Sequence, residues 1–312
     1  MRVSVRIGLG FAAFPFSGAA AFWRWVDACE EWQVDSIWLS ERLVSAQSFL
    51  EPLATLAAIG GRTKHVKFGM NATVLPLRDP LILAKECATI DYLSDGRLLP
   101  MFGVGGDAAP EWKALGLDTK GRGARSNEML ALMSRLWNED HVSFDGKYYH
   151  YSDVTIAPKP KQQPMPLWVG GNSEAAIERT ARYGNGWLAG VVQGPAQIGR
   201  MVEAIRARSA ELGRAIDEDH YGAGFAFRFG SWEEPEVERA VQTYLTRFGQ
   251  EVDPRNFMAV GDADSVLDLV TRYREAGISK FVARPIASSD EEMMQQSQWL
   301  AEQVNPIVNQ MA

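Results

Sequence analysis

Residues 166–191 read Pro166-Leu167-Trp168-Val169-Gly170-Gly171-Asn172-Ser173, then Glu174-Ala175-Ala176-Ile177-Glu178-Arg179-Thr180-Ala181-Arg182-Tyr183-Gly184, then Asn185-Gly186-Trp187-Leu188-Ala189-Gly190-Val191. The first run holds a short apolar strand, Leu167–Val169, ending in two glycines. A helix is expected over Glu174–Tyr183, closed by Gly184, and a second strand over Gly186–Val191. Strand, helix, strand is the unit of an α/β fold. A glycine at a strand end lets backbone N–H groups approach a ligand closely. Asn172 or Ser173 can cap the helix, whose N-terminal partial charge suits a phosphate. An ordinary capped turn has the same sequence, so chemistry must be argued from the rest of the chain.

Outward from this unit the rhythm repeats. Strands are expected at Val3–Leu9, Ser36–Leu39, Val66–Val74 and Leu98–Val104. Two more follow at Tyr221–Phe229 and Lys280–Arg284, making eight. Between them lie segments of helical apolar spacing. Examples are Phe22, Trp25, Val26 and Cys29, and Met129, Leu132, Met133 and Leu136. Proline opens several of these helices (Pro52, Pro80, Pro195), where its missing N–H costs nothing. Eight alternating units over 312 residues predict a single (β/α)8 TIM barrel spanning 1–312. A doubly wound sheet needs fewer units. Asp145-Gly146 between aromatic and β-branched residues predicts a hairpin, an insertion near 139–157. The stretch near 229–260 reads as a second insertion.

Composition narrows the function classes. The chain is 46% hydrophobic and 23% charged, with formal net charge −7. An acidic chain without a basic cluster does not suit nucleic acid. The two cysteines, Cys29 and Cys87, sit among apolar helix residues, which excludes a disulfide framework and fits a reducing cytoplasm. His65, His141, His150 and His220 have no metal-ligand spacing, so no metal is expected. The apolar start, Ile7 to Trp23, resembles a signal peptide in outline. Gly8, Gly10, Pro15 and Gly18 interrupt it and make it a poor membrane helix, so strand, loop and helix is the expectation.

In a barrel, function gathers where strands end. Those ends include Ser40-Glu41-Arg42, Asn71-Ala72, Gly103–Asp107, Gly170–Ser173, Ala189-Gly190-Val191, Arg228 and Arg284. Glu41-Arg42 reads either as a site carboxylate with a cation or as a mutual ion pair at the rim. The Gly103–Ala108 run matches a relaxed dinucleotide pattern. It lies mid-chain, however, and Pro110 with Trp112 does not continue it as the close-packed helix that the fingerprint requires. Arg228 and Arg284 are candidate contacts for a substrate anion, or ion pairs of the barrel rim.

Taken in order, several segments resemble the bacterial-luciferase-like superfamily of flavin- and deazaflavin-dependent oxidoreductases. They are Val34–Glu41, Val74-Leu75-Pro76-Leu77-Arg78-Asp79-Pro80, Ala88–Leu98, Phe144-Asp145-Gly146-Lys147-Tyr148-Tyr149, Pro158-Lys159-Pro160, Pro166–Asn172 and Gly184–Trp187. The resemblance implies a cofactor on the C-terminal face of the barrel, a homodimer, and a non-prolyl cis peptide at Asn71–Ala72 supporting the ring. Backbone amides at Gly105, Gly106, Gly170, Gly171 and Asn172 would hold the phosphate-bearing tail, and Gly190 and Val191 would also belong to the cofactor site. Glu41 would contact the ring or relay a proton as the catalytic residue. The sequence looks most like the branch that uses coenzyme F420. Many deazaflavin members have Asp-His where this chain has Glu41-Arg42, so FMN stays open. The readings are therefore an F420-dependent hydride transferase, an FMN-dependent monooxygenase supplied by a partner reductase, and a non-catalytic barrel that binds flavin.

Overall fold

A computed structural model describes residues 3–190, 194–249 and 252–311. The chain begins β1 (Arg6–Phe11), α1 (Ala19–Glu31), β2 (Ser36–Leu39), α2 (Pro52–Arg62), β3 (Lys67–Met70), β4 (Thr73–Val74) and α3 (Pro80–Leu93). It continues with β5 (Leu98–Leu99), β6 (Met101–Gly103), α4 (Pro110–Ala114), α5 (Arg122–Asn138), β7 (Val142–Asp145), β8 (His150–Val154), β9 (Trp168–Gly170), α6 (Glu174–Tyr183) and β10 (Gly186–Leu188). It ends α7 (Pro195–Glu211), β11 (Tyr221–Phe229), α8 (Pro235–Phe248), β12 (Met258–Gly261), α9 (Ala263–Glu275), β13 (Lys280–Pro285), α10 (Asp290–Trp299) and α11 (Asn305–Val308).

All pairings in the main sheet are parallel, and they run in a ring. β13 pairs β1, β1 pairs β2, and β2 pairs β3. β3 continues into β4, as β5 does into β6, and the two composite strands pair through β3–β5 and β4–β6. From β6 the ring returns through β9, β10 and β11 to β13. This is the eight-stranded α/β barrel expected from the rhythm. Helices begin where their caps dictate. Pro80 opens α3, with Asp79 accepting the Leu81 and Ile82 N–H groups at 2.9 and 3.1 Å. Asp262 and Ser265 form a capping box at the start of α9.

Two indoles and their neighbours fill the barrel interior. Trp38, Met101, Trp168, Leu188 and Val282 form a buried cluster, and Trp38 lies against Gly69. A β-carbon on Gly69 would stand 2.5 Å from the Leu99 carbonyl oxygen and 2.7 Å from the Trp38 ring, so only glycine fits there. Trp168 and Trp187 are thus packing residues, the latter buried and donating its indole N–H to the Gly171 carbonyl at 2.9 Å.

Several features depart from the plain alternation of strand and helix. Strand three is split at Asn71 and Ala72. The hairpin β7–β8 does not turn on two residues. Asp145 pairs with His150, and Gly146 to Tyr149 form the loop, because the Glu128 carboxylate of α5 accepts the Lys147 and Tyr148 N–H groups, each at 2.8 Å. β12 is an extra parallel strand in the region near 229–260, pairing β11 from Ala226 to Phe229. The last helix is broken by a π turn at Leu300–Val304, just before Pro306, which cannot donate to the ladder. Among the described residues no helix is long and apolar enough to cross a membrane.

Candidate active site

The C-terminal ends of the strands surround a cavity of about 900 Å³. Phe11 lines it at the end of β1, Ser40, Glu41 and Arg42 follow β2, and Asn71 and Ala72 come from the break between β3 and β4. Gly105, Gly106, Glu111 and Trp112 follow β6, Arg284 and Pro285 end β13, and Glu236, Arg239 and Thr243 of α8 close one side. The structure therefore gathers six sequence-named residues: Glu41, Asn71, Ala72, Gly105, Gly106 and Arg284. The Asn71–Ala72 peptide is cis, as the resemblance implied.

Gly170, Gly171, Asn172 and Gly190 do not line this cavity. They form the neighbouring strand-end turn, whose groups serve one another. Asn172 Oδ1 accepts the Gly190 N–H at 2.6 Å, so that amide is already satisfied, and Ser173 rather than Asn172 caps α6. Val191 lies outside the described residues. In the other turn, Gly105 has φ +72°, and a β-carbon there would lie 2.9 Å from both Trp112 and Val74. The Trp112 indole donates to the Gly106 carbonyl at 2.8 Å, and Arg122 Nε donates to the Gly105 carbonyl at 3.3 Å.

Arg228 does not reach the cavity, which corrects its assignment as a substrate contact. Its side chain is buried and spent. Nε binds Glu234 at 2.5 Å, one amino group binds the Ile286 carbonyl at 2.8 Å, and the other binds Glu292 at 2.9 Å. This cation and the Ser288 N–H hold the Glu292 carboxyl down at about 2. A carboxylate depressed in the folded state supports folding fully above its ordinary value of 4.5, and that support is lost as the pH falls to about 2. Thermal melts should therefore show a loss of stability across this window that is shallower in Glu292→Gln. Identical acid profiles would refute the assignment. Arg284, by contrast, lines the cavity with no ion-pair or hydrogen-bond partner among the described residues.

Glu41 and Arg42 do not pair with each other. The Glu41 side chain is 1% exposed, with Arg78 against Oε1, and Oε2 accepts the Val74 N–H at 2.7 Å. Burial pushes its carboxyl up, and Arg78 together with the Val74 N–H opposes that shift. Both oxygens are thus engaged inside the wall, which makes Glu41 a brace in this structure. Arg42 instead lies 3.7 Å from Glu111. Glu111, its side chain 5% exposed, lines the cavity, and its Oε2 makes no hydrogen bond among the described residues, the Arg42 ion pair being its polar contact; Glu41 Oε1 likewise makes no hydrogen bond but is in closer contact with Arg78. The sequence reading missed Glu111 because α4 is only five residues long. The signal was Pro110-Glu111, separated by three residues from the glycine-rich strand end that closes at Gly106, on the functional face.

The luciferase-like monooxygenase family model matches residues 10–249, which include every sequence-named site residue except Arg284. An uncharacterized protein of Mycobacterium tuberculosis is 28% identical over 176 residues, 56% of this chain, and the match spans only 59% of that relative's length. An F420-dependent glucose-6-phosphate dehydrogenase of Amycolatopsis mediterranei is 26% identical over 288 residues, 81% of this chain and 84% of its own. An FMNH2-dependent dimethylsulfone monooxygenase of Pseudomonas putida is 34% identical over 157 residues, 48% and 42% of the two chains. In fold, a monooxygenase from Streptomyces bottropensis superposes with TM-score 0.81 at 22% identity, over 97% of this chain and 99% of that one. With three-quarters of its length matched, including most of the cavity wall, this chain belongs to the luciferase-like monooxygenase family.

Proposed function

We propose that the chain is an oxidoreductase that moves hydride between coenzyme F420 and a small organic substrate in the strand-end cavity. The observation that carries this reading is the cavity itself. It is open, large enough for a tricyclic ring and a small partner, and is lined by a buried carboxylate, Glu111, whose Oε2 is paired with Arg42 but makes no hydrogen bond among the described residues. A relative named as an F420-dependent dehydrogenase, matched over 81% of this chain, supports the choice of cofactor.

The residues fit such a group. Ala72, Gly105 and Gly106 present small surfaces on one stretch of wall, and a β-carbon on Gly106 would meet nothing within 4 Å, so that flank is free for a ligand. When bound, a deazaflavin supplies a ring that exchanges hydride, whereas FMN also reacts with oxygen. The chain does the rest. Asn71, Ala72, Gly105 and Gly106 flank the ring, and the Gly170–Ser173 turn at the start of α6 offers a place for the charged tail. Glu111 Oε2 holds or moves the proton that the substrate exchanges, with Arg42 beside it. Arg284 takes an anionic group of the substrate. The Pseudomonas monooxygenase favours a second reading, in which reduced FMN arrives from a partner reductase.

The test is a fluorescence titration with F420 and FMN in both redox states. Binding of F420 alone supports hydride transfer, preference for reduced FMN moves the chain to the oxygenases, and binding of neither overturns both readings. Gly106→Leu should weaken the bound cofactor at least tenfold and leave the melting temperature unchanged, since φ is not left-handed there and the site is open. Undiminished affinity in this variant would remove Gly106 from the site.

A further inference from the structure

We propose that Arg78 is a positioning residue, the middle of a Glu41–Arg78–Glu51 clasp that fixes the cavity wall and the entry to α2 relative to one another. Arg78 lies between β4 and α3, and its side chain is 14% exposed. One of its amino groups sits against Glu41 Oε1 and also reaches Glu51 Oε1 at 2.8 Å. Each carboxylate has a second task. Glu41 Oε2 takes the Val74 N–H at 2.7 Å, which locks the end of β2 to the segment following Asn71 and Ala72. Glu51 Oε2 takes the Ala54 N–H at 2.7 Å and caps α2.

The segment between the two acids, residues 42–50, supplies Arg42, Gln47 and Phe49 to the cavity. One guanidinium therefore sets three pieces of wall: the strand end at Glu41, the floor at Asn71 and Ala72, and the 42–50 loop. A packing role alone would not require this connectivity. Breaking a buried ion pair from one side leaves the other charge uncompensated, whereas removing both ends spares that penalty. The clasp rests on the cofactor reading for its binding readout only.

The experiment compares wild type, Arg78→Met, Arg78→Lys and the double variant Glu41→Gln/Arg78→Met, at a temperature where circular dichroism finds each folded. Hydrogen exchange is followed by mass spectrometry, and affinity for F420 and FMN by fluorescence. In Arg78→Met, exchange should rise at least tenfold in peptides covering residues 39–54 and 70–78 and stay unchanged in α6, α7 and α9. Cofactor affinity should fall at least tenfold. Arg78→Lys should recover part of both, and the double variant should lose less than the sum of its singles, Glu41→Gln being measured alongside. Unchanged exchange in those two peptides, a rise spread over the whole barrel, or no recovery with lysine overturns the proposal. If wild type binds neither cofactor, the functional reading fails while the exchange result still decides the clasp.

Discussion

Glu111→Gln should lower kcat by roughly 10²- to 10⁴-fold, the range expected when a positioned proton carrier is removed, and should leave cofactor affinity within about twofold. Glutamine keeps the shape and one acceptor but neither gives nor takes a proton at Oε2. The expectation depends on the contrast between the two carboxylates at the cavity. Glu41 is sealed by Val74 and Arg78, so its loss should act on binding and stability. Glu111 faces the cavity with Arg42 3.7 Å away, so its loss should act on turnover. A KM-against-kcat separation on the substrate identified for the chain distinguishes the two. Equal kcat in Glu111→Gln and wild type would return the proton to another group.

Gly69→Val should cost more than about 3 kcal/mol, above the usual range for an overpacked core and a large share of the stability of an ordinary domain. The reason is where the new atoms would go. Gly69 pairs with Trp38 on one side and Leu99 on the other, inside the ring. The first carbon alone would stand 2.5 Å from the Leu99 carbonyl, which cannot retreat without opening the β3–β5 ladder. Gly61→Ala is the matched control. That glycine is helical, with nothing within 4 Å of a built β-carbon, so alanine should gain up to about 1 kcal/mol. Thermal melts of the two variants check both statements. A Gly69→Val protein melting with wild type would mean that the strands approach less closely than described.

The barrel was legible because its evidence is periodic. Apolar runs bounded by glycine and proline mark strands and helices whatever the function. Helix starts at Pro52, Pro80 and Pro195 fell where the missing N–H of proline predicts. Positions on the cavity wall such as Asn71, Ala72 and Gly105 were reachable because strand ends and family segments coincide there. What a side chain touches was not legible. Arg228 and Arg284 look alike in sequence, each near a strand end, yet one is held by two acids and a carbonyl while the other lines the cavity. Glu41 next to Arg42 suggested a pair, but the two side chains find Arg78 and Glu111, 37 and 69 positions along the chain, through tertiary contacts that spacing cannot encode. Short elements such as α4 and β12 carry too few residues for a period to register.

The ring closure through β3–β5 and β4–β6 also bears on how this chain behaves when crowded. A sheet that closes on itself offers no row of unpaired N–H and C=O groups for a second chain to extend, the route by which exposed edges nucleate fibrils. Among the described residues the open edges that remain belong to β7, β8 and β12, each five residues or fewer. The hairpin bears Asp145 and Asp153 on its exposed surface, charges that discourage such recruitment. Strand addition therefore has little to build on while the barrel is intact, and protection against aggregation is tied to the same register that shapes the cavity.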